Sequence, residues 1–462
     1  MFARALTAAL ILFAVAAPGA LAQGRDFEPP ESQRQLSDTE KLVRQILTTG
    51  TLERNQIMAN LVDRGETDVV PALIQSLRFM RQDPWTITNA LQVLTGEDFG
   101  TSWNNWMLWQ EDHPEIKPFD GFADYKGWVF SQIDPNFRLF LYDGVDHTIR
   151  LEEIVWGGVR KDAIPALVNP THIAPDAADY LLPDELVFGV EINGDVRAYP
   201  LRVLDWHEMF NDVVGGVPVA LAYCTLCGSG ILYETTVEGR DKPFEFGSSG
   251  FLYRSNKLMY DRETNSLWNQ FTGLPVVGTL TGADIVLRTR PVAITSWRRW
   301  LAKHPDTKVL SLETGYERDY TPGRPYAEYF SSPDTMFPVK MNDTRLATKD
   351  YVFALREAES EKAWALELFR DNAVVNDTAG DVPVVLIGDI ATRTVRAYAS
   401  KGRQFTAAAD NADIVQADGI DWKVTEEALI PAEGEPLERL AGHIAYWFAW
   451  QNFKPDAEVR VE

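Results

Sequence analysis

Val187-Phe188-Gly189-Val190-Glu191-Ile192-Asn193-Gly194-Asp195-Val196-Arg197-Ala198-Tyr199-Pro200 reads as a β-hairpin. Leu186 to Ile192 is an apolar strand, Asn193-Gly194 is a two-residue turn whose members both tolerate positive φ, and Asp195 to Tyr199 returns. Beyond it, Leu201 to Phe210 suggests a short helix, Gly215-Gly216 a turn and Val217 to Tyr223 a buried strand. The same stretch recurs 165 positions downstream without a gap. Val187-Phe188 falls on Val352-Phe353, Ala198 on Ala363, Leu201 on Leu366 and Asn211-Asp212 on Asn376-Asp377. Gly215 falls on Gly380, Val217-Pro218-Val219 on Val382-Pro383-Val384, and Leu221 on Leu386. The ends agree too, since Trp297, Trp300, Pro305-Asp306 and Val309 recur 150 positions later as Trp447, Trp450, Pro455-Asp456 and Val459. A fixed-offset repeat of this kind marks internal duplication. The expected fold is α+β and predominantly β, with two duplicated sheet units packed about a pseudo-twofold axis, each closed by an amphipathic helix.

Working outward, repeat 1 spans 166–312, a Pro- and Gly-rich linker spans 313–337, and a degenerate repeat 2 spans 338–462. Residues 37–114 carry helical spacing, as in Leu42, Val43, Ile46, Leu47 and Val70, Leu73, Ile74, Leu77, and suggest a small HEAT-like helical domain. Residues 115–165 show no period and read as a connector. Residues 23–36 are a polar tether. Ahead of them, Arg4, the apolar run Ala5 to Ala17 and the small-residue site Ala20-Leu21-Ala22 have the form of a secretory signal peptide over residues 1–22. The expected location is therefore periplasmic or extracellular, without membrane insertion once the signal is cleaved.

The formal net charge is −23, which argues against binding phosphate backbones or anionic lipid. With 45% hydrophobic residues there is ample material for packed cores. Two cysteines in a chain of 462 residues cannot form a disulfide scaffold, so the pair Cys224 and Cys227 needs its own explanation.

Several motifs accompany that pair: Asp205-Trp206-His207-Glu208, Tyr223-Cys224-Thr225-Leu226-Cys227-Gly228-Ser229-Gly230, and Ser249-Gly250-Phe251-Leu252-Tyr253. Ser255-Asn256, Met259-Tyr260-Asp261-Arg262 and Ser266-Leu267-Trp268 follow. With Val187-Phe188-Gly189-Val190 and Ala198-Tyr199-Pro200, this set resembles domain of unknown function family 3179, found in bacteria and archaea. The resemblance is strong over roughly residues 150–340 and weaker in the second copy. It implies no activity, so function has to be argued from chemistry.

Strand, Cys-x-x-Cys-Gly, strand resembles a zinc knuckle, in which glycine supplies a left-handed turn and both sulfurs face one point. His207 is the leading third ligand and Met259 a soft fourth, a set favouring copper and then zinc. Glu208, Asp212 or Asp261 would orient the imidazole or accept protons. Two other readings stand beside the metal site: a static disulfide, and a thiol–disulfide redox pair with His207 as base. Tyr253, Ser255, Asn256, Tyr260, Asp261, Arg262 and Trp268 could line a polar cleft beside the knuckle, or simply form a turn network. Asp319 and Tyr320 read as a surface loop, and His113 and His304 as helix caps. At the 165-residue offset His207 falls on Asn372, Cys224 on Asp389 and Cys227 on Thr392, so the second copy lacks all three. The expected functions are a metal-binding or metal-redox protein, a non-catalytic scaffold engaging a protein partner through its helical domain, or a periplasmic thiol–disulfide oxidoreductase.

Overall fold

A computed structural model describes residues 34–357, 360–409 and 411–462; the expected signal peptide and most of the tether lie outside the described residues. The fold is mixed α+β with strand predominant, preceded by a helical region, as expected. Leu186–Ile192 and Asp195–Pro200 pair antiparallel with Ile192 opposite Asp195, and Asn193 and Gly194 both adopt positive φ. Ala293–Ser296 joins the first strand antiparallel and Lys308–Leu310 the second strand parallel. The second copy repeats these four strands in the same order, His443–Tyr446, Tyr351–Glu357, Ser360–Ala365, Glu458–Arg460, while the first copy's sheet adds His172–Ile173 at its edge.

Next in each copy comes a three-stranded meander. It is Met209–Val214, Val217–Cys224, Ser229–Glu234 in the first and Val374–Ala379, Val382–Asp389, Thr394–Ala399 in the second. The repeated Asn-Asp pairs are its anchors. Asn211 bonds both main-chain groups of Phe246, at 2.9 and 2.8 Å, and Asn376 does the same to Phe405, at 2.8 and 2.8 Å. Asp212 accepts from Tyr199 and Arg197, as Asp377 accepts from Trp364 and Lys362. Identity was kept at these positions because a buried polar group stays satisfied only with its partner in place.

The copies clamp one another reciprocally. Tyr446, which leads into the closing helix Trp447–Phe453, donates its N–H to the Cys227 carbonyl at 2.8 Å. In return Arg299, in the closing helix Trp297–Lys303, pairs with Asp389 of the second meander at 2.5 Å. Two apolar cores contain side chains from both copies, one joining Phe188 and Leu221 to Phe353 and Leu386, the other joining Cys224 and Cys227 to Val352 and Tyr446.

The helical region extends further than its sequence period indicates. Residues 115–165 hold the helix Phe122–Ser131 and the strand Ile154–Trp156, which pairs with Phe246–Tyr253. That helix is buried nearly all round, including Tyr125, Lys126, Val129 and Phe130, so it lacks the polar stripe that reveals an amphipathic helix. Its core is shared with the first copy, where Phe251 lies 5.1 Å from Phe130 and 4.5 Å from Phe137. His113 and His304 occupy the C-caps of their helices.

Candidate functional site

The chain turns over Thr225-Leu226-Cys227-Gly228 between the strands Val217–Cys224 and Ser229–Glu234, with Cys224 paired to Ser229 across the hairpin. Gly228 has φ +61°, the left-handed conformation that favours glycine. A β-carbon there would also lie 3.1 Å from the rings of Tyr351 and Tyr446. Cys224 and Cys227 are joined as a disulfide, and the Cys227 Sγ lies 3.2 Å from the Ser255 carbonyl oxygen. Cys224 is 3% exposed and Cys227 0%.

Glu208 abuts this turn. It takes a left-handed conformation after the helix Leu201–His207, and its carbonyl accepts the Tyr223 N–H at 2.7 Å. Its carboxylate accepts from Thr225 Oγ1 at 3.1 Å, between the two cysteines, and pairs with Lys257 at 2.5 Å. Lys257 also donates to Ser248 Oγ. One turn earlier, Asp205 is buried against Tyr223, the residue before Cys224. Burial pushes its carboxyl up to about 8, a rise that the Tyr223 hydrogen bond only partly opposes. Among the described residues its Oδ1 has no hydrogen-bond partner. The disulfide thus sits beside a buried ion pair, and Asp205, whose carboxyl burial raises, lies against the neighbouring Tyr223.

His207 does not join them. Its Nδ1 meets the Pro165 carbonyl at 2.8 Å and its Nε2 the Tyr320 hydroxyl at 2.6 Å. Burial lowers it to about 4, so the ring is neutral, donating from Nδ1 and accepting at Nε2. Tyr320 is therefore not on an open surface loop; it is 9% exposed and docked on this ring. Copper or zinc does not suit this donor set, because the sulfurs are bonded to each other and both ring nitrogens are engaged. Among the described residues no group of three His, Cys, Asp or Glu side chains is placed to hold a metal.

The remaining candidates scatter. Met259 is fully buried in the apolar cluster that contains both cysteines. Asp212 braces Arg197 and Tyr199 at the far end of its strand. Asp261 accepts from Trp268 Nε1 at 2.9 Å and Thr264 N at 2.7 Å, a turn network. Arg262 pairs with Asp162 and Glu245. The Tyr253 ring lies beneath the Arg254 guanidinium, which pairs with Glu153, and Asn256 donates to the Ala449 carbonyl at 3.2 Å. Of the polar cleft residues, Ser255, Asn256 and Trp268 reach the disulfide's surroundings, where Glu208 joins them. Asp205, Tyr223, Thr225 and Lys257 complete the site, as do Tyr326 and Tyr329, whose hydroxyls reach Glu208 at 3.3 Å and the Leu226 carbonyl at 2.7 Å. The one sequence signal for Asp205 was its place in the Asp-Trp-His-Glu run.

A family model described as a protein of unknown function, DUF3179, matches residues 161–457. No curated protein and no solved structure matches the chain.

Proposed function

Since the chain belongs to the DUF3179 family of proteins of unknown function, which supplies no activity to carry over, we propose from the site alone that Cys224 and Cys227 form a thiol–disulfide redox centre. The contrast between the two copies carries this reading. At the positions of Cys224 and Cys227 the second copy has Asp389 and Thr392, and it closes the same turn with a Thr392 to Asp389 hydrogen bond of 3.1 Å. A non-covalent clasp is therefore sufficient for the turn. A disulfide closing so short a loop contributes only about 2 kcal/mol in the chain-entropy account. The flanking acids follow the cysteines: Asp205 and Glu208 are replaced by Arg370 and Ala373. Burial raises Asp205, Tyr326 and Tyr329 at one place, and perturbed titratable groups gathered in this way support chemistry there.

In reduction, a donor thiolate attacks the Cys224 sulfur, a new sulfur–sulfur bond forms, and the bond to Cys227 breaks with its electron pair left on Cys227. That sulfur takes a proton and can donate it to the Ser255 carbonyl oxygen. A second donor thiolate then displaces Cys224, which also takes a proton; the donor dithiol becomes a disulfide and loses two electrons and two protons. Cys224 is the entry point because Cys227 is wholly enclosed. Asp205, packed against Tyr223 one residue before Cys224, serves as the proton reservoir, and the Glu208–Lys257 ion pair braces the turn. An exported location, proposed from the N-terminal segment, would favour the oxidised pair at rest.

The test is a redox titration of the folded protein against a dithiol–disulfide buffer, with thiols counted. Reversible reduction of one disulfide is expected, and Asp205→Asn should change the pH dependence of its midpoint above pH 7. If excess dithiol reduces the bond only once the chain unfolds, the redox reading fails and the scaffold reading replaces it. Stoichiometric copper or zinc on the reduced protein would instead favour the metal reading.

A further inference from the structure

Between the two copies, residues 312–350 contain a single short helix, Ala327–Ser331, and only Tyr320 and Tyr329 are buried. This segment runs directly over the site. Trp206 Nε1 donates to the Asp319 carbonyl at 2.7 Å, Ser255 Oγ to that of Pro338 at 2.6 Å and Trp447 Nε1 to that of Asp343 at 3.0 Å. Asn452 takes both main-chain groups of Lys340, at 3.1 and 2.9 Å. Three tyrosine hydroxyls complete the fastening, on His207, Glu208 and the Leu226 carbonyl.

The second copy shows what lies beneath. At the corresponding place a cavity of about 480 Å³ is open, lined by Arg370, Asn372 and Asp389, the counterparts of Asp205, His207 and Cys224, and by Arg299 of the opposite closing helix. In the first copy the inter-copy segment lies at that place, its Tyr320, Tyr326 and Tyr329 hydroxyls on His207, Glu208 and the Leu226 carbonyl. We propose that residues 312–350 form a displaceable lid over a substrate groove at the disulfide, and that the groove takes an extended, cysteine-bearing polypeptide. The choice of polypeptide follows from how the lid is held. Trp206, Ser255, Asn452 and Trp447 bond its main chain rather than its side chains, the mode by which a groove accepts any extended chain. This inference rests on the redox reading above.

The experiment uses the oxidised full-length protein and follows thiol release under native conditions with dithiothreitol. In the wild type the rate should saturate as dithiothreitol rises, because lid opening becomes limiting. Tyr320→Phe combined with Tyr329→Phe should speed reduction by roughly tenfold or more, the effect of deleting two hydrogen bonds. Asn452→Ala, which frees the lid's main chain without touching the tyrosines, should act in the same direction. Unchanged rates in both variants with no saturation would overturn the lid and leave the redox reading standing; a bond that no variant allows to be reduced overturns both. For the groove, Cys227→Ser leaves Cys224 to react with an unstructured one-cysteine peptide activated as its thionitrobenzoate disulfide. That peptide should react faster than mercaptoethanol activated in the same way, and equal rates would overturn polypeptide recognition.

Discussion

His207 shows how a residue type can mislead. An imidazole near two cysteines suggests a ligand or a base, yet its partner, Tyr320, arrives from a segment 113 residues further on. Its pH behaviour is correspondingly structural. With a folded value of about 4 against the ordinary 6.5, the unfolded chain binds the extra proton between those limits. The stability it contributes is complete above about pH 6.5 and is lost as pH falls to about 4, an effect of up to about 3 kcal/mol. Asp205 acts in the opposite sense: its raised carboxyl contributes stability at low pH that is lost as pH rises through about 8. Urea midpoints measured from pH 7 to pH 4 should therefore fall less steeply in His207→Asn, the residue its counterpart Asn372 carries, than in the wild type. Parallel slopes would contradict the assignment. The cysteine pair and the left-handed Gly228 were readable from residue type. Asp205 was not, because its shift comes from burial that only its neighbours create.

At the scale of elements, the hairpins were legible because Asn193-Gly194 and the apolar runs on either side constrain the backbone locally. The helix Phe122–Ser131 was hidden for the opposite reason, being enclosed on nearly every face. Contact between elements rests on close approach that no pattern announces. Gly189, in the strand Leu186–Ile192, lies so near the closing helix that a β-carbon would come within 2.2 Å of the Trp300 ring. Trp300 is fully buried and has no room to retreat. Gly189→Ala should therefore cost about 3 kcal/mol, at the upper end for overpacking a core. Thermal or denaturant unfolding reads this directly, and a loss below about 1 kcal/mol would mean that the helix can shift.

At the scale of the molecule, the two copies share cores and clasp each other at Tyr446–Cys227 and Arg299–Asp389. Neither copy buries its apolar face alone, so both should unfold in one transition, without a folded half surviving. Two separable calorimetric transitions within residues 166–462, or a stably folded 338–462 fragment, would contradict this. The helical region, which shares its core with Phe251, Leu258 and Tyr260, should follow the same transition.

The chain's order of residues alone determined the duplication, the predominance of strand, the Asn-Gly turn and the presence of chemistry-bearing residues in one copy only. These depend on local backbone preference and on identity at a fixed offset, both of which are written linearly. Tertiary structure decided the rest: that Cys224 and Cys227 bond to each other, that His207 faces Tyr320, that burial raises the Asp205 carboxyl, and that the inter-copy segment reaches the site. Those outcomes depend on which distant side chains exclude water from a given group, and that is settled only when the two copies and the segment joining them pack together.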